Sequence, residues 1–276
     1  MHQPSHHGKT DSEHRENGVV DRPAVSVYII TLNEEEMIGR ALDSVRWADE
    51  IVVVDSGSGD RTVDICREAG ARVVHRDLDS FVTQKNFALN LCRGEWALNI
   101  DADEEVSEVL AASLRDLVGG NRQKSADVFR INRRTWYLGR WIRHCGWYPE
   151  YRVRLSRMGM AAWKGSVLHE YLEPLNGVDT GVLSGDLLHR PYRNVSHHVT
   201  KIARYADMWA ERELSAGRRP GVWDILVHPA GRFVKMYIVK RGFLDGVPGL
   251  IVSMLGAVYT FLKYARLWEK SGRQND

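Results

Sequence analysis

The chain has 276 residues, of which 43% are hydrophobic and 27% charged, a composition typical of a globular protein with one large or two small domains. Its three cysteines exclude a disulfide framework and a cysteine-based zinc site, and favour a reducing, cytosolic setting. Residues 190–276 carry a net charge of +8 and the remainder −6, which favours an anionic partner, either nucleic acid or an anionic membrane leaflet.

Residues 1–22 are polar and rich in histidine, and they contain no apolar core. They are predicted to be a disordered leader, neither a signal peptide nor a membrane anchor. The following hundred residues alternate short apolar runs with helical patterns. Strands are predicted at 25–32, 50–55, 72–75 and 96–100, and helices at 35–45, 60–69, 81–92 and 106–118. Continuous Val/Ile runs between helices are typical of a parallel sheet covered on both faces.

After residue 118 the pattern changes, with aromatic and arginine residues interleaved in extended segments. These segments are predicted at 127–139, 151–156, 163–172 and 182–189, and helices at 194–216, 222–242 and 244–268. The predicted fold class is α/β, a doubly wound, mostly parallel sheet with a small antiparallel addition covering the site and a helical C-terminal region. Residues 23–193 are expected to form the catalytic domain, and residues 194–276 the helical region.

Residues 247–262 contain no charged side chain. The run is shorter than the roughly 20 residues that a membrane-spanning helix needs. Basic residues on both sides of it favour contact with anionic lipid headgroups. Three interpretations are open: a helix buried in the core or a subunit interface, an interfacial or re-entrant membrane helix, and a true span.

Polar clusters stand where the predicted strands end, at 31–35, 55–59 and 101–103. Open parallel sheets bind ligands beyond the carboxyl ends of their strands, so these clusters are expected to share one site. Asp101 and Asp103 alternate in sequence and can therefore face one pocket. Two neighbouring carboxylates are best neutralised by a hard divalent cation, Mg²⁺ or Mn²⁺, completed by water and substrate phosphates. An Asp-x-Asp pair alone is also consistent with an acidic loop or a helix N-terminus.

The order and spacing of four motifs resemble those of inverting family 2 glycosyltransferases of the GT-A fold. These motifs are Thr31-Leu-Asn-Glu-Glu35, Val54-Asp-Ser-Gly-Ser58 with Asp60 and Thr62, Gln84-Lys-Asn86 and Asp101-Ala-Asp-Glu104. Further segments are most similar to the bacterial lipopolysaccharide-core β-glucosyltransferase subgroup, namely 146–149, 152–155, 169–170, 188–189 and 242–246. The resemblance extends from about Val25 to Trp268.

The resemblance implies a binding site for the nucleotide of a UDP-sugar donor. Thr31, Glu34 and Glu35 follow the first strand, where the family binds the uridine. Asp55 is where a carboxylate accepts the uracil imide proton, and its alternative role is in the turn from strand to helix. Lys85 is expected at the diphosphate or the base, its alternative being a solvated helix lysine.

The resemblance also implies the reacting groups. Asp101 is expected to contact the ribose or the donor sugar, and Asp103 to hold the metal on the two phosphates. His189 is a candidate third metal ligand or diphosphate contact, its alternative being a hydrogen-bonded histidine at a strand end. Glu170 is expected to be the general base that takes the proton of the acceptor hydroxyl, and its alternative is a surface glutamate.

An acceptor site is predicted at Trp147, Tyr148, Arg152 and Arg154, because sugar rings stack on aromatic side chains and Arg binds phosphate or carboxylate bidentately. The alternative is that half of these residues belong to the core or rim of the antiparallel part.

The expected activity is metal-dependent, inverting transfer of a hexose, glucose, from a UDP-sugar to a lipid-linked saccharide such as the lipopolysaccharide inner core. The expected location is the inner face of the cytoplasmic membrane, with an anionic membrane surface as partner, no nucleic acid, and a homo-oligomer left open.

Alternative acceptors are polyprenyl phosphate or another envelope glycan. Two alternatives to this activity are a sugar nucleotidyltransferase, which would need a Gly-rich phosphate loop after the first strand, and a non-catalytic binding protein.

Overall fold

The computed structural model describes residues 24–119, 126–166 and 169–272, and the predicted leader lies outside them. The first half alternates strands and helices as the sequence predicts. Its elements are β1 (Val25–Thr31), α1 (Ile38–Asp43), β2 (Glu50–Asp55), α2 (Thr62–Glu68), β3 (Arg72–His75), α3 (Phe81–Leu91), β4 (Trp96–Asn99), β5 (Glu104–Val106) and α4 (Glu108–Val118). Two of the helices begin at a serine N-cap, whose side chain accepts a backbone N–H of the first turn: Ser80 caps α3 and Ser107 caps α4.

The second half contains longer strands followed by three helices. Its elements are β6 (Val128–Tyr137), β7 (Arg140–Trp141), β8 (Glu150–Arg157), β9 (Ala161–Ser166), β10 (His169–Pro174), β11 (Thr180–His189), α5 (Val195–Ser215), α6 (Val222–Val234) and α7 (Gly246–Gly272). The helix predicted over 222–242 is interrupted. α6 ends at Val234, and a π-helical turn (Lys235–Val239) and a 3₁₀ turn (Gly242–Asp245) lead into α7.

One mixed sheet of nine strands organises the described residues, in the order β3-β2-β1-β4-β8-β6-β11-β5, with β7 paired to β6. The strands from β3 to β4 are parallel, as predicted. The addition is mixed rather than purely antiparallel, because β8 runs antiparallel to β4 and β6 whereas β11 pairs with β6 in parallel. The carboxyl ends of β1, β2 and β4 therefore meet at one edge, where the polar clusters lie.

The segment 163–172, predicted as one extended element, instead belongs to two strands. β9 and β10 pair antiparallel as a separate two-stranded sheet, with Glu170 opposite Gly165. Gly165 has a φ of 113°, a backbone conformation that glycine tolerates and other residues rarely adopt. Glu170 is thus carried on an element distinct from the strands that precede the two aspartates.

Two apolar layers cover the parallel strands, because alternate side chains point to opposite faces. Ile29 packs with residues of α1 and α4 on one face, whereas Tyr28 packs with α3 and β9 on the other. All three cysteines are free and buried. Burial raises the pKa of the Cys66 and Cys92 thiols to about 12.

The C-terminal helices pack on one another and on the sheet. Trp209 of α5 packs with Tyr264 and Leu267 of α7. Asp245 is fully buried, and its carboxylate accepts hydrogen bonds from the backbone N–H groups of Arg143 and His144, which fixes the start of α7 to the loop after β7.

Among the described residues, the helical segment Gly242–Gly272 is long and apolar enough to cross a membrane, judged by length and composition alone. Its mean hydropathy is 1.5, and 28% of its most apolar 18-residue stretch is buried. The helix therefore extends beyond the uncharged run 247–262. Most of this stretch is not buried, so the segment is not a core helix of this chain. The membrane interpretations and the subunit-interface interpretation both stay open.

Candidate active site

A cavity of about 680 Å³ opens at the carboxyl ends of the parallel strands, between the sheet, the β9–β10 hairpin and α5. Eight of the residues predicted for the site line it: Thr31, Glu34, Lys85, Asp101, Asp103, Trp147, Glu170 and His189. The other five do not line it: Glu35, Asp55, Tyr148, Arg152 and Arg154. The predicted metal and base residues therefore share one cavity with four of the six predicted donor residues. Of the predicted acceptor residues only Trp147 lines it, whereas Arg152 and Arg154 line a second pocket together with Lys85, Asp101 and Glu170.

Asp101 lies between two cations. Its carboxylate accepts hydrogen bonds from Lys85 Nζ at 2.9 Å and from Arg154 Nη2 at 2.8 Å. Burial alone would raise the pKa of Asp101, but the charges of Arg154 and Lys85 hold it well below its usual range. Asp101 is therefore ionised at neutral pH and held in a fixed orientation.

Arg154 lies among carboxylates and does not face the cavity. Its guanidinium also donates to Asn99 and, at 2.9 Å, to Glu104, whose side chain is completely buried. Arg154 itself is 5% exposed. The structure thus places Arg154 where it positions Asp101, and it gives no exposed guanidinium for an acceptor. Glu104 was not singled out from the sequence, because nothing in a run of acidic residues indicates which one turns inward.

Lys85 is buried, which rules out the alternative of a solvated helix lysine. Its ammonium lies 2.9 Å from Asp101, 3.4 Å from Glu170 and 4.4 Å from the centre of the Trp163 ring. The side chain is 3% exposed. Lys85 therefore links the aspartate at the end of β4 to the glutamate on β10, across the cavity floor.

Asp103 and His189 form a candidate metal pair. His189 Nε2 lies 3.4 Å from the Asp103 carboxylate, and the neighbouring Arg190 N–H donates to the Asp103 carbonyl at 2.9 Å. Burial favours a raised pKa for Asp103, but the charge of His189 and its hydrogen bond lower it. His189 Nδ1 is buried and has no hydrogen-bond partner among the described residues.

This donor set fits Mg²⁺ or Mn²⁺ with a shell completed by a ligand. No group of three or more His, Cys, Asp or Glu side chains within the described ranges forms an all-protein metal site. Mg²⁺ is commonly held by one or two carboxylates plus substrate phosphates, and Mn²⁺ accepts imidazole as well as carboxylate. Glu34 adds support, because burial and the charge of Asp103 raise the pKa of its carboxyl, and a cation between the two would relieve that repulsion.

Asp55 and Glu35 serve the turns beneath the cavity. The Asp55 carboxylate accepts the N–H groups of Gly57 and Ser58 at 2.9 and 3.0 Å, the turn role that was the alternative to uracil binding. Glu35 accepts the N–H of Arg61 at 3.0 Å, just before α2. Asp55 therefore shapes the loop after β2, and Glu35 ties the loop after β1, which carries Glu34, to the start of α2.

Comparison with known proteins places the chain in a family. Residues 26–168 match the family model described as glycosyl transferase family 2. The lipopolysaccharide core biosynthesis glycosyltransferase LpsC of Rhizobium meliloti is 30% identical over 263 residues, covering 91% of this chain and 94% of LpsC. This chain belongs to glycosyltransferase family 2. The resemblance stated from the sequence is confirmed, and so are the expected fold class and the expectation that the protein is a transferase enzyme.

Further relatives and structures align along most of the glycosyltransferase. An uncharacterised glycosyltransferase of Rickettsia typhi, RT0209, is 29% identical and covers 90% of this chain and 87% of its own length. The alignment with the crystal structure of S. aureus TarS 1–349 covers 91% of this chain and 92% of the TarS chain, with a TM-score of 0.45 and 18% identity.

The glycosyltransferase cavity has an aromatic wall. Trp147 lines the cavity and packs with Tyr192, their ring centres 6.0 Å apart, and Tyr192 stacks on His198 at 3.8 Å. Tyr148, in contrast, places its hydroxyl 3.4 Å from Asp186, outside the cavity lining. Arg152 is half exposed and pairs with Glu150 at 2.6 Å.

Sequence analysis missed the contribution of α5 to the glycosyltransferase cavity. Lys201, Arg204 and Tyr205 line it from this helix. Their spacing of three and four residues places them on one helical face, a signal that the sequence carried. Only the packing of α5 against the sheet shows that this face turns toward the carboxylates.

Proposed function

We propose that this glycosyltransferase moves a hexose, glucose, from a UDP-sugar to a lipid-linked saccharide such as the lipopolysaccharide inner core, with inversion at the anomeric carbon. The observation that carries the proposal is the convergence in one cavity of the Asp103–His189 pair, the fixed Asp101 and the Glu170 carboxylate on a separate hairpin. The name of the relative LpsC supports the choice of acceptor class.

Donor binding is assigned to the strand ends. Asp103 and His189 would hold Mg²⁺ or Mn²⁺, which when bound neutralises charge growing on the departing nucleoside diphosphate. Asp101, fixed by Lys85 and Arg154, would accept hydrogen bonds from the hydroxyl groups of the ribose or of the donor sugar. Because these carboxylates are held in place before the donor arrives, little reorganisation is needed at the moment of reaction.

Glu170 is assigned as the general base. It lines the cavity on β10, and the ammonium of Lys85, 3.4 Å away, holds its carboxylate on the same cavity floor as Asp101. Glu170 takes the proton of the acceptor hydroxyl as that oxygen bonds to the anomeric carbon and the bond to the diphosphate breaks. Trp147 and Tyr192 offer ring faces on which an acceptor sugar can stack.

Two variants test these roles with radiolabelled UDP-glucose and Mg²⁺ or Mn²⁺. We expect Glu170→Gln to lower kcat roughly 100- to 10,000-fold, the usual contribution of a general base, while UDP affinity stays within about twofold. Asp103→Ala should abolish the metal-dependent part of UDP binding. Glu173→Gln, which changes a partly exposed carboxylate outside the cavity on the same strand, is the matched control.

Several outcomes would contradict the proposal. If UDP binding and transfer survive exhaustive EDTA treatment, the metal assignment is wrong. If Glu170→Gln transfers at the wild-type rate, another group is the base. UDP-galactose in place of UDP-glucose tests the sugar, and truncated core saccharides against polyprenyl phosphate test the acceptor. Consumption of UTP with a sugar 1-phosphate would indicate a nucleotidyltransferase instead.

The C-terminal helices present an apolar surface that supports attachment to the inner face of the cytoplasmic membrane. Trp223, Val239 and Phe243 are 76%, 66% and 47% exposed, unusual values for large apolar side chains. Lys240 and Arg241 stand directly between the last two. Apolar side chains rimmed by basic ones fit the headgroup region of an anionic bilayer, where each basic residue contributes about 1 kcal/mol.

Sedimentation with vesicles tests this surface. The full chain is expected to bind vesicles containing phosphatidylglycerol, and the triple variant Trp223→Ser/Val239→Ser/Phe243→Ser is expected to lose that binding. Val109→Ser, which changes a 62% exposed valine on α4, is the control. If instead the triple variant binds vesicles normally but dissociates a dimer, the surface is a contact between copies of the chain.

A further inference from the structure

The cavity contains two kinds of cationic side chain. Lys85 and Arg133 both line it, and both are engaged by carboxylates: Lys85 by Asp101 and Glu170, and Arg133 by Glu150 at 2.7 Å. Their charges are therefore committed to holding the cavity wall together. A ligand could use them only by breaking these ion pairs.

Lys201 and Arg204 are different. Both line the cavity from α5, three residues apart on the same helical face, and neither has a carboxylate within 4.0 Å anywhere in the described ranges. Lys201 Nζ lies 3.5 Å from the Pro191 carbonyl and 5.5 Å from the centre of the Tyr192 ring, which keeps it at the cavity edge next to the end of β11. Arg204 is exposed. These are cationic side chains with free donors at a cavity that is also lined by carboxylates.

We propose that Lys201 and Arg204 form an anion site for the diphosphate of the donor, acting together with the metal pair in the same cavity; the assignment rests on the proposed use of a UDP-sugar. Asp103 already offsets part of a divalent cation's charge, so the metal alone does not neutralise the diphosphate. The nucleoside diphosphate also leaves with one more negative charge than it carries in the donor. Lys201 and Arg204, already positioned at the cavity before the reaction, would stabilise that negative charge as it develops.

Calorimetry with UDP and UMP in the presence of Mg²⁺ tests the site, because UMP lacks the β-phosphate. Lys201→Gln and Arg204→Gln are each expected to weaken UDP binding about tenfold, the typical effect of losing one hydrogen bond to a charged group, and to leave UMP binding within about twofold. Arg212→Gln is the control, since Arg212 lies on the same helix, outside the cavity, and pairs with Glu213.

A second readout separates charge from structure. Lys201→Arg and Arg204→Lys should retain most UDP affinity, whereas variants that merely disturb α5 would lose it regardless of charge. The salt dependence of UDP binding should be shallower for the two Gln variants than for the wild type.

The outcomes are distinguishable. Unchanged UDP binding in both Gln variants overturns the site, and a raised KM for the acceptor alone would assign the cations to an anionic group on the acceptor instead. If the wild-type protein binds no UDP at all, the proposed function fails before the anion site is tested. If the charge-conserving variants fall as far as the Gln variants, the effect is structural and the anion site is wrong.

Discussion

Replacing Arg154 by methionine should be among the most destabilising single changes in the nine-stranded sheet. The guanidinium holds the carboxylates of Asp101 and Glu104 at 2.8 and 2.9 Å, and Glu104 is 0% exposed. Methionine keeps much of the packing of the side-chain stem, but it leaves the buried Glu104 carboxylate with only two partners, Arg133 at 3.5 Å and the backbone N–H of Asp101 at 3.0 Å. Breaking a buried ion pair in this way costs about 3–5 kcal/mol of stability. Because Arg133 still contacts Glu104, we expect Arg154→Met to lower the free energy of unfolding by about 3 kcal/mol.

Urea unfolding followed by tryptophan fluorescence measures this loss, from the midpoint and slope of the transition. Arg152→Met is the matched control, because Arg152 lies two residues earlier on β8, is half exposed and pairs with Glu150, so its loss should cost less than about 1 kcal/mol. Adding Glu104→Gln to Arg154→Met should recover part of the stability, since the stranded charge is then removed. A cost for Arg154→Met below about 1 kcal/mol would refute the buried-network argument.

Two further predictions concern stability. Burial, followed by the charge of Lys201, lowers the pKa of His198 from 6.5 to about 4. The unfolded chain therefore binds the proton more readily, and stability is lost as pH falls from about 6.5 to 4, by up to about 3 kcal/mol. His198→Phe should flatten the free energy of unfolding across that range, and an unchanged slope would contradict the assignment. Gly249→Ala would place its Cβ 2.0 Å from the Gly242 carbonyl, and should destabilise by about 1–3 kcal/mol in thermal unfolding, whereas Gly231→Ala meets no atom within 4 Å and should not destabilise.

The parallel half of the fold and the position of the site could be predicted because both depend on local pattern. β1, β2 and β4 are continuous apolar runs that are buried on both faces, so their ends fall within about a residue of the predicted bounds. Asp101 and Asp103 directly follow β4, and the edge of a parallel sheet then brings them to the same place as Thr31.

The remaining features depend on contacts far apart in sequence. The division of 163–172 into β9 and β10 was not predicted, because no Pro, Asn or Asp in that segment marks a turn and the run therefore indicates a single extended element. The end of α6 could not be read from its apolar pattern, because that pattern continues through the π-helical turn to Arg241, which has a φ of 53°. Sequence alone also gives no means of pairing Arg154 with Asp101, 53 residues away.

The burial of all three cysteines has a practical consequence for studying the enzyme in solution. Cys66, Cys92 and Cys145 are enclosed, and burial raises the pKa of each thiol, so at neutral pH the native chain offers almost no thiolate to alkylating reagents. A cysteine introduced at position 223 would then be the single reactive point for a spin label or fluorophore. Its accessibility to lipid-soluble and water-soluble quenchers would report how deeply the C-terminal helices immerse, without removing any native residue of the catalytic half.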